Sequence, residues 1–91
     1  MNMGVEADDS CTFMKKTVAT EFKRTTDFVA GLFEKGIKEG EFKADIKPAE
    51  LAFVVFSAIE GAIVMSRVSS SQNPMKAVVN HCKLILEQIS I

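Results

Sequence analysis

The stretch from Leu51 to Met65, LAFVVFSAIEGAIVM, decides how the rest of this chain folds, because it is apolar around nearly the whole circumference of a helix. Only Ser57 and Glu60 interrupt it, and Gly61 leaves a gap between side chains. A surface helix keeps one apolar stripe and one polar face. A helix apolar all round must be covered all round, and a chain of 91 residues has little else with which to cover it. Two surroundings meet that demand: a bilayer or a subunit interface.

The bilayer fails on length and on content. A spanning helix needs about 20 predominantly apolar residues with few or no charges. Only 19 residues separate Lys47 from Arg67, and they include Glu50 and Glu60. Glu60 would lie near the bilayer centre, where an ionised carboxylate is costly. The opening MNMGVEADDS places acids where a secretory leader needs a basic patch followed by an apolar block. The expectation is a soluble, cytoplasmic protein, outside the membrane, whose central helix is buried between subunits.

The bulk composition narrows the class. The chain has room for one domain, and for a marginal one, because small chains bury a smaller share of their surface. With 47% hydrophobic and 25% charged residues it is globular rather than disordered. A net charge of −1, with acids and bases interspersed, argues against a nucleic-acid surface, which gathers Lys and Arg on one face. Cys11 and Cys82 make neither a disulfide framework nor a metal site, and His81 has no second ligand at metal spacing. No metal and no cofactor is expected.

Three helices are predicted. Asp8, Asp9 and Ser10 offer capping oxygens for a long first helix from about Cys11 to Glu39. Its apolar positions Met14, Val18, Phe22, Val29, Phe33 and Ile37 recur mostly at three-four spacing, widened by Phe28 and Leu32. Such a helix is roughly 43 Å long, more than an isolated three-helix domain of this size needs. Gly40 is placed to end it in a left-handed cap. Pro48 suits the first position of a second helix, which runs to about Ser69, and Glu50 lies in its dipole-favoured first turn. After a polar Ser69–Gln72 loop, Asn73 is expected to cap the third helix and Pro74 to take its first position. Met75, Val78, Cys82, Ile85 and Ile89 step by three and four, the seam of a helix packed nearly parallel or antiparallel to another. The fold class is all-α: a long amphipathic helix plus an antiparallel helix hairpin, with the hairpins of two chains forming a four-helix-bundle dimer interface.

The stretch KEGEFKADIKPAELAFVVFSAIEGAIVMSRV, followed by NPMKAVVNHCKLILEQI, resembles the C-terminal half of TetR-family transcriptional repressors. The matching features are Gly40-Glu41-Phe42 after an amphipathic helix, Asp45, the Pro48 helix start, the Glu60-Gly61 pair, and Asn73-Pro74 opening the last helix. Asn2-Met3-Gly4-Val5-Glu6 resembles the end of the family's sixth helix, just before its long seventh. One departure is Lys47 before Pro48, where many members place an acidic cap.

The resemblance implies a single regulatory domain over residues 1–91, a truncated form without the family's helix-turn-helix. In the intact protein it would sense a small apolar ligand and form a homodimer, with DNA contacted only through an N-terminal domain these residues do not include. The implied dimer interface comprises Phe53, Phe56, Ile59, Glu60, Gly61, Ile63 and Val64 of the second helix with Val78, Cys82, Ile85 and Ile89 of the third. Candidates for the ligand pocket are Thr17, Phe22, Thr25, Phe28 and Val29 on the long helix.

Plainer roles compete with these. Glu60 is expected at the edge of the bundle, paired or solvated, because acids are rarely buried alone. Gly61 costs a helix ~1 kcal/mol against alanine, so a close helix crossing is its natural explanation. No nucleophile, base and orienter fall together, no Gly-rich phosphate loop is present, and an enzyme is not expected. The alternative to a regulatory fragment is a free-standing helical homodimer acting as a protein-interaction adaptor.

Overall fold

Gly40 stops the first helix as its sequence context predicts. The computed structural model describes residues 3–91, with side chains from residue 10 onward. Helix α1 (Met3–Lys38) ends where Gly40 turns left-handed at φ +76°. The Gly40 N–H then donates to the Ile37 carbonyl at 3.1 Å and the Glu41 N–H to the Gly36 carbonyl at 2.8 Å. These two bonds satisfy carbonyls that the last turn would otherwise leave open.

The other end of α1 differs from expectation. The helix does not begin after a cap at Asp8–Ser10 but passes straight through those residues from Met3. Short polar side chains cap only where the chain bends into a helix. Glu6 and Ala7, just upstream, are helix formers, and no proline stands nearby to force a bend. The expected junction between two helices at Asn2–Glu6 is therefore absent from Met3 onward. Met1 and Asn2 lie outside the described residues.

Helix α2 (Pro48–Ser69) has the predicted bounds. Lys47 is extended (φ −106°, ψ 99°), as the residue before a proline must be, and gives no side-chain cap. Ser70 closes the helix by the same hydrogen-bond pair as Gly40, with Ser71 N–H donating to the Ser66 carbonyl at 3.1 Å. Unlike Gly40, Ser70 adopts the left-handed conformation (φ 51°) while carrying a Cβ.

Helix α3 (Asn73–Ile89) starts one residue earlier than expected. Gln72 is the boundary residue and Asn73 already belongs to the helix. The Ser71 hydroxyl accepts the Asn73 N–H at 3.1 Å, and the boundary residue Gln72 gives no side-chain cap.

Both connections are short and both helix pairs run antiparallel. Phe22 of α1 meets Phe56 of α2 edge to face at 5.5 Å between ring centres. Ile89, at the end of α3, lies beside Leu51 and Val54, near the start of α2. Helix α2 packs against both neighbours, whereas α1 and α3 do not pack against each other. The chain ends by pairing with the α1–α2 turn: Lys43 N–H donates to the Ile89 carbonyl at 2.7 Å and Ile91 N–H to the Glu41 carbonyl at 3.0 Å.

The result is a slab 61 × 32 × 14 Å in extent, one helix thick. Its radius of gyration is 17.4 Å, against about 12 Å for a compact chain of this length. The core is correspondingly thin: Ala30, Phe33, Ala52, Ala62 and Ile89 are the buried apolar residues, with Thr26 beside them. The seam of α3 does turn inward, with Met75, Val78, Cys82 and Ile85 half-buried and Ile89 buried.

Candidate functional site

Two apolar depressions flank α2, and the way α1 crosses it creates both. The larger is an open cleft of about 700 Å³ between α1 and α2. Ala19, Phe22, Lys23, Thr26 and Asp27 line it from α1, and Phe53, Phe56, Ser57 and Glu60 from α2. On each helix these positions recur at intervals of three and four, so each set is one stripe facing the other.

The cleft floor is apolar although Thr26 lies there. The Thr26 hydroxyl donates back to the Phe22 carbonyl at 2.8 Å, with the Lys23 carbonyl at 3.2 Å, and is thereby satisfied within its own helix. Phe22 and Phe53 remain about half exposed, at 47% and 58%, so their rings are available to a visitor. At the rim the Lys23 ammonium donates to Asp27 Oδ2 at 2.8 Å. That hydrogen bond and the opposite charge hold Lys23 protonated above its ordinary range. Glu60 forms no salt bridge among the described residues.

The second depression, about 480 Å³, spans α1 and α3 across Val55 of α2. Val29, Leu32, Phe33, Gly36 and Phe42 form one wall and Cys82, Ile85 and Leu86 the other. A smaller recess between α2 and α3 brings Val54, Val55 and Ala58 against Val78, His81, Cys82 and Ile85.

The structure divides the sequence-predicted residues among these places. Of the five pocket candidates, Phe22 lines the α1–α2 cleft and Val29 the second depression, while Thr17, Thr25 and Phe28 line neither. Phe28 is 68% exposed on an unpartnered face. Phe53, Phe56 and Glu60, assigned from sequence to the interface between subunits, face α1 of the same chain. Ile59 and Ile63 are half-buried, and Gly61 and Val64 lie on the open face of α2. Val78, Cys82 and Ile85 turn toward α2, where Val54, Val55 and Ala58 meet them.

Lys23, Thr26, Asp27 and Ser57 were assigned to no site from sequence. The Phe22–Thr26 and Phe53–Ser57–Glu60 spacings are visible there, but their pairing depends on where the helices cross. His81 and Cys82 are adjacent in the α2–α3 recess, and no group of His, Cys, Asp or Glu among the described residues could hold a metal.

Comparisons with known proteins agree with this architecture. The profile of the family described as Tetracyclin repressor-like, C-terminal domain, matches residues 1–82. No curated protein and no solved structure matches. C-terminal domains of that family are regulatory rather than enzymatic. The long helix, the proline-started apolar helix and the amphipathic helix after it are accordingly those of a family member: this chain belongs to the Tetracyclin repressor-like C-terminal domain family.

Proposed function

We propose that the chain is the ligand-sensing and dimerisation part of a TetR-like transcriptional repressor, and that a second copy completes its fold. The exposed area carries this proposal. The chain exposes 7104 Å², whereas a compact monomer of this mass exposes roughly 5,200 Å². The excess of about 1,900 Å² lies within what each partner of an obligate dimer buries.

The face that would be covered is the open side of α2. Val54, Val64, Met65 and Val68 are exposed there, by 54% to 83%. At their centre a Cβ on Gly61 would meet nothing within 4 Å. The single chain thus supplies no reason for a glycine that weakens its own helix. A second helix crossing closely at that point does supply one.

By length and composition α2 is also able to cross a membrane. The sequence-based objection on length therefore lapses, and the one on charge remains: Glu60 stands near the middle of the helix. Family membership favours the soluble, cytoplasmic reading, since regulators of this type are soluble and cytoplasmic in general.

With a net charge of −1 and acids interspersed among its bases, the chain is expected to leave DNA reading to another domain. Sedimentation equilibrium of the 91-residue chain at micromolar concentration is expected to give a dimer. A single 10.0 kDa species would overturn the proposal. In a gel shift, the chain alone is expected to retard no DNA fragment in a sequence-dependent way.

A further inference from the structure

We propose that the α1–α2 cleft takes an organic cation bearing an aromatic or bulky alkyl group. The proposal rests on the ligand-sensing role above and names the chemical class that role would serve. Three features of the cleft select the class.

The first is its walls. Phe22, Phe53 and Phe56 come from two helices and enclose one space of about 700 Å³, within the range of drug-sized sites. The electron-rich faces of aromatic rings attract cations. Phe22 and Phe56 meet edge to face with ring centres 5.5 Å apart, and Phe53 stands exposed on the same cleft.

The second is the charge left over. The lining carries one base and two acids, and the base is already matched: Lys23 is hydrogen-bonded to Asp27 at 2.8 Å. Glu60 remains as the carboxylate without an opposite charge. Each kind of occupant meets it differently. An anion is repelled, and a neutral apolar molecule strips water from the carboxylate with nothing in return. A cation replaces that water with an opposite charge.

The third is how few neutral polar groups line the cleft: the hydroxyls of Ser57 and Thr26. Thr26, the buried polar residue of the floor, spends its hydroxyl on its own helix backbone. A ligand rich in hydroxyls or amides would find few partners inside. Charge at the rim and aromatic surface within are what the cleft offers.

The test uses three probes of similar shape and different charge: phenyltrimethylammonium, tert-butylbenzene and benzenesulfonate. The chain has seven Phe, no Tyr and no Trp, so with ring-deuterated probes its aromatic proton signals come from Phe rings and His81, and those of Phe22, Phe53 and Phe56 report on the walls. Titrations of the 91-residue chain, with and without Glu60→Gln, give the affinities. Because Glu60 is exposed, the variant should keep the helical circular dichroism of the parent.

Phenyltrimethylammonium is expected to bind roughly tenfold more tightly than tert-butylbenzene, and benzenesulfonate not measurably. Glu60→Gln should remove most of that preference by weakening phenyltrimethylammonium, while tert-butylbenzene, no longer desolvating a carboxylate, should bind at least as tightly as to the parent. Equal affinity for cation and neutral probe, or a preference that Glu60→Gln does not alter, overturns the cation class. The cleft would then stand as a site for neutral apolar ligands, and the ligand-sensing role would survive. Binding of none of the three, in a chain that sedimentation shows to be dimeric, overturns both.

Discussion

The ring of Phe42 occupies the space that a side chain on Gly36 would need: a Cβ there would fall 2.5 Å from Phe42 Cε2. Gly36 lies in the last turns of α1, and its carbonyl also accepts the N–H groups of Glu41 and Phe42. The same glycine therefore anchors the turn and seats its aromatic side chain. Gly36→Ala is expected to destabilise the chain by about 1–3 kcal/mol, although alanine is the better helix former. Urea unfolding monitored by circular dichroism measures it. A stabilised variant would show that the Phe42 ring moves aside at little cost.

Gly61 should respond with the opposite sign in the isolated helix. No atom of the chain crowds it, so Gly61→Ala should raise intrinsic helix stability by up to about 1 kcal/mol. If a partner helix crosses there, the same methyl group pushes the two helices apart, and the dimer dissociation constant should rise. Sedimentation of parent and variant across a concentration series separates the two effects. A tighter dimer would rule out a close crossing at this residue.

Ser70 closes α2 at φ 51°, a conformation that costs a residue with a Cβ about 1 kcal/mol. Ser70→Gly relieves that cost but gives the unfolded chain more freedom. The net gain is expected to lie between a few tenths and about 1 kcal/mol, visible as a higher urea midpoint with an unchanged slope. A loss of stability would mean that the serine side chain makes up for its own backbone strain.

Ile85 and Lys83 are two residues apart on α3 and differ in what surrounds them. Ile85 is half-buried beside Val54, Val55 and Ala58, whereas Lys83 is exposed. Ile85→Glu is expected to cost several kcal/mol, because an unpaired carboxylate would enter an apolar seam. Lys83→Glu should stay within about 0.5 kcal/mol. Equal unfolding midpoints for the two variants would mean that the seam of α3 is misassigned.

What the sequence disclosed follows from how local each signal is. Pro48 and the serines from Ser69 to Ser71 act within a few residues, and the bounds of α2 were legible from them. The three-four seam of α3 was legible for the same reason, since one helix's periodicity needs no partner to be seen. Asp8, Asp9 and Ser10 misled because capping chemistry says where a helix can begin, while an upstream turn already in helical form removes the need. Asn73 lies one residue inside the helix, so its own N–H is one of the first-turn donors, and the Ser71 hydroxyl accepts it. The cleft was only partly legible. Phe22 and Phe53 are 31 positions apart, and which stripe of α2 meets which stripe of α1 depends on the crossing, not on either stripe alone. The hydrogen bonds from Lys43 and Ile91 had no local signature at all.

A slab 14 Å thick has two wet faces and almost no interior. Every helix in it can be reached by a protease from one side or the other, and little beyond their own helical hydrogen bonds holds its amides against deuterium exchange. A lone copy would be a good substrate for the cell's quality-control machinery, and a covered one a poor substrate. With the proposed dimer, turnover would become a function of abundance: scarce copies would be cleared, and plentiful ones would shelter one another.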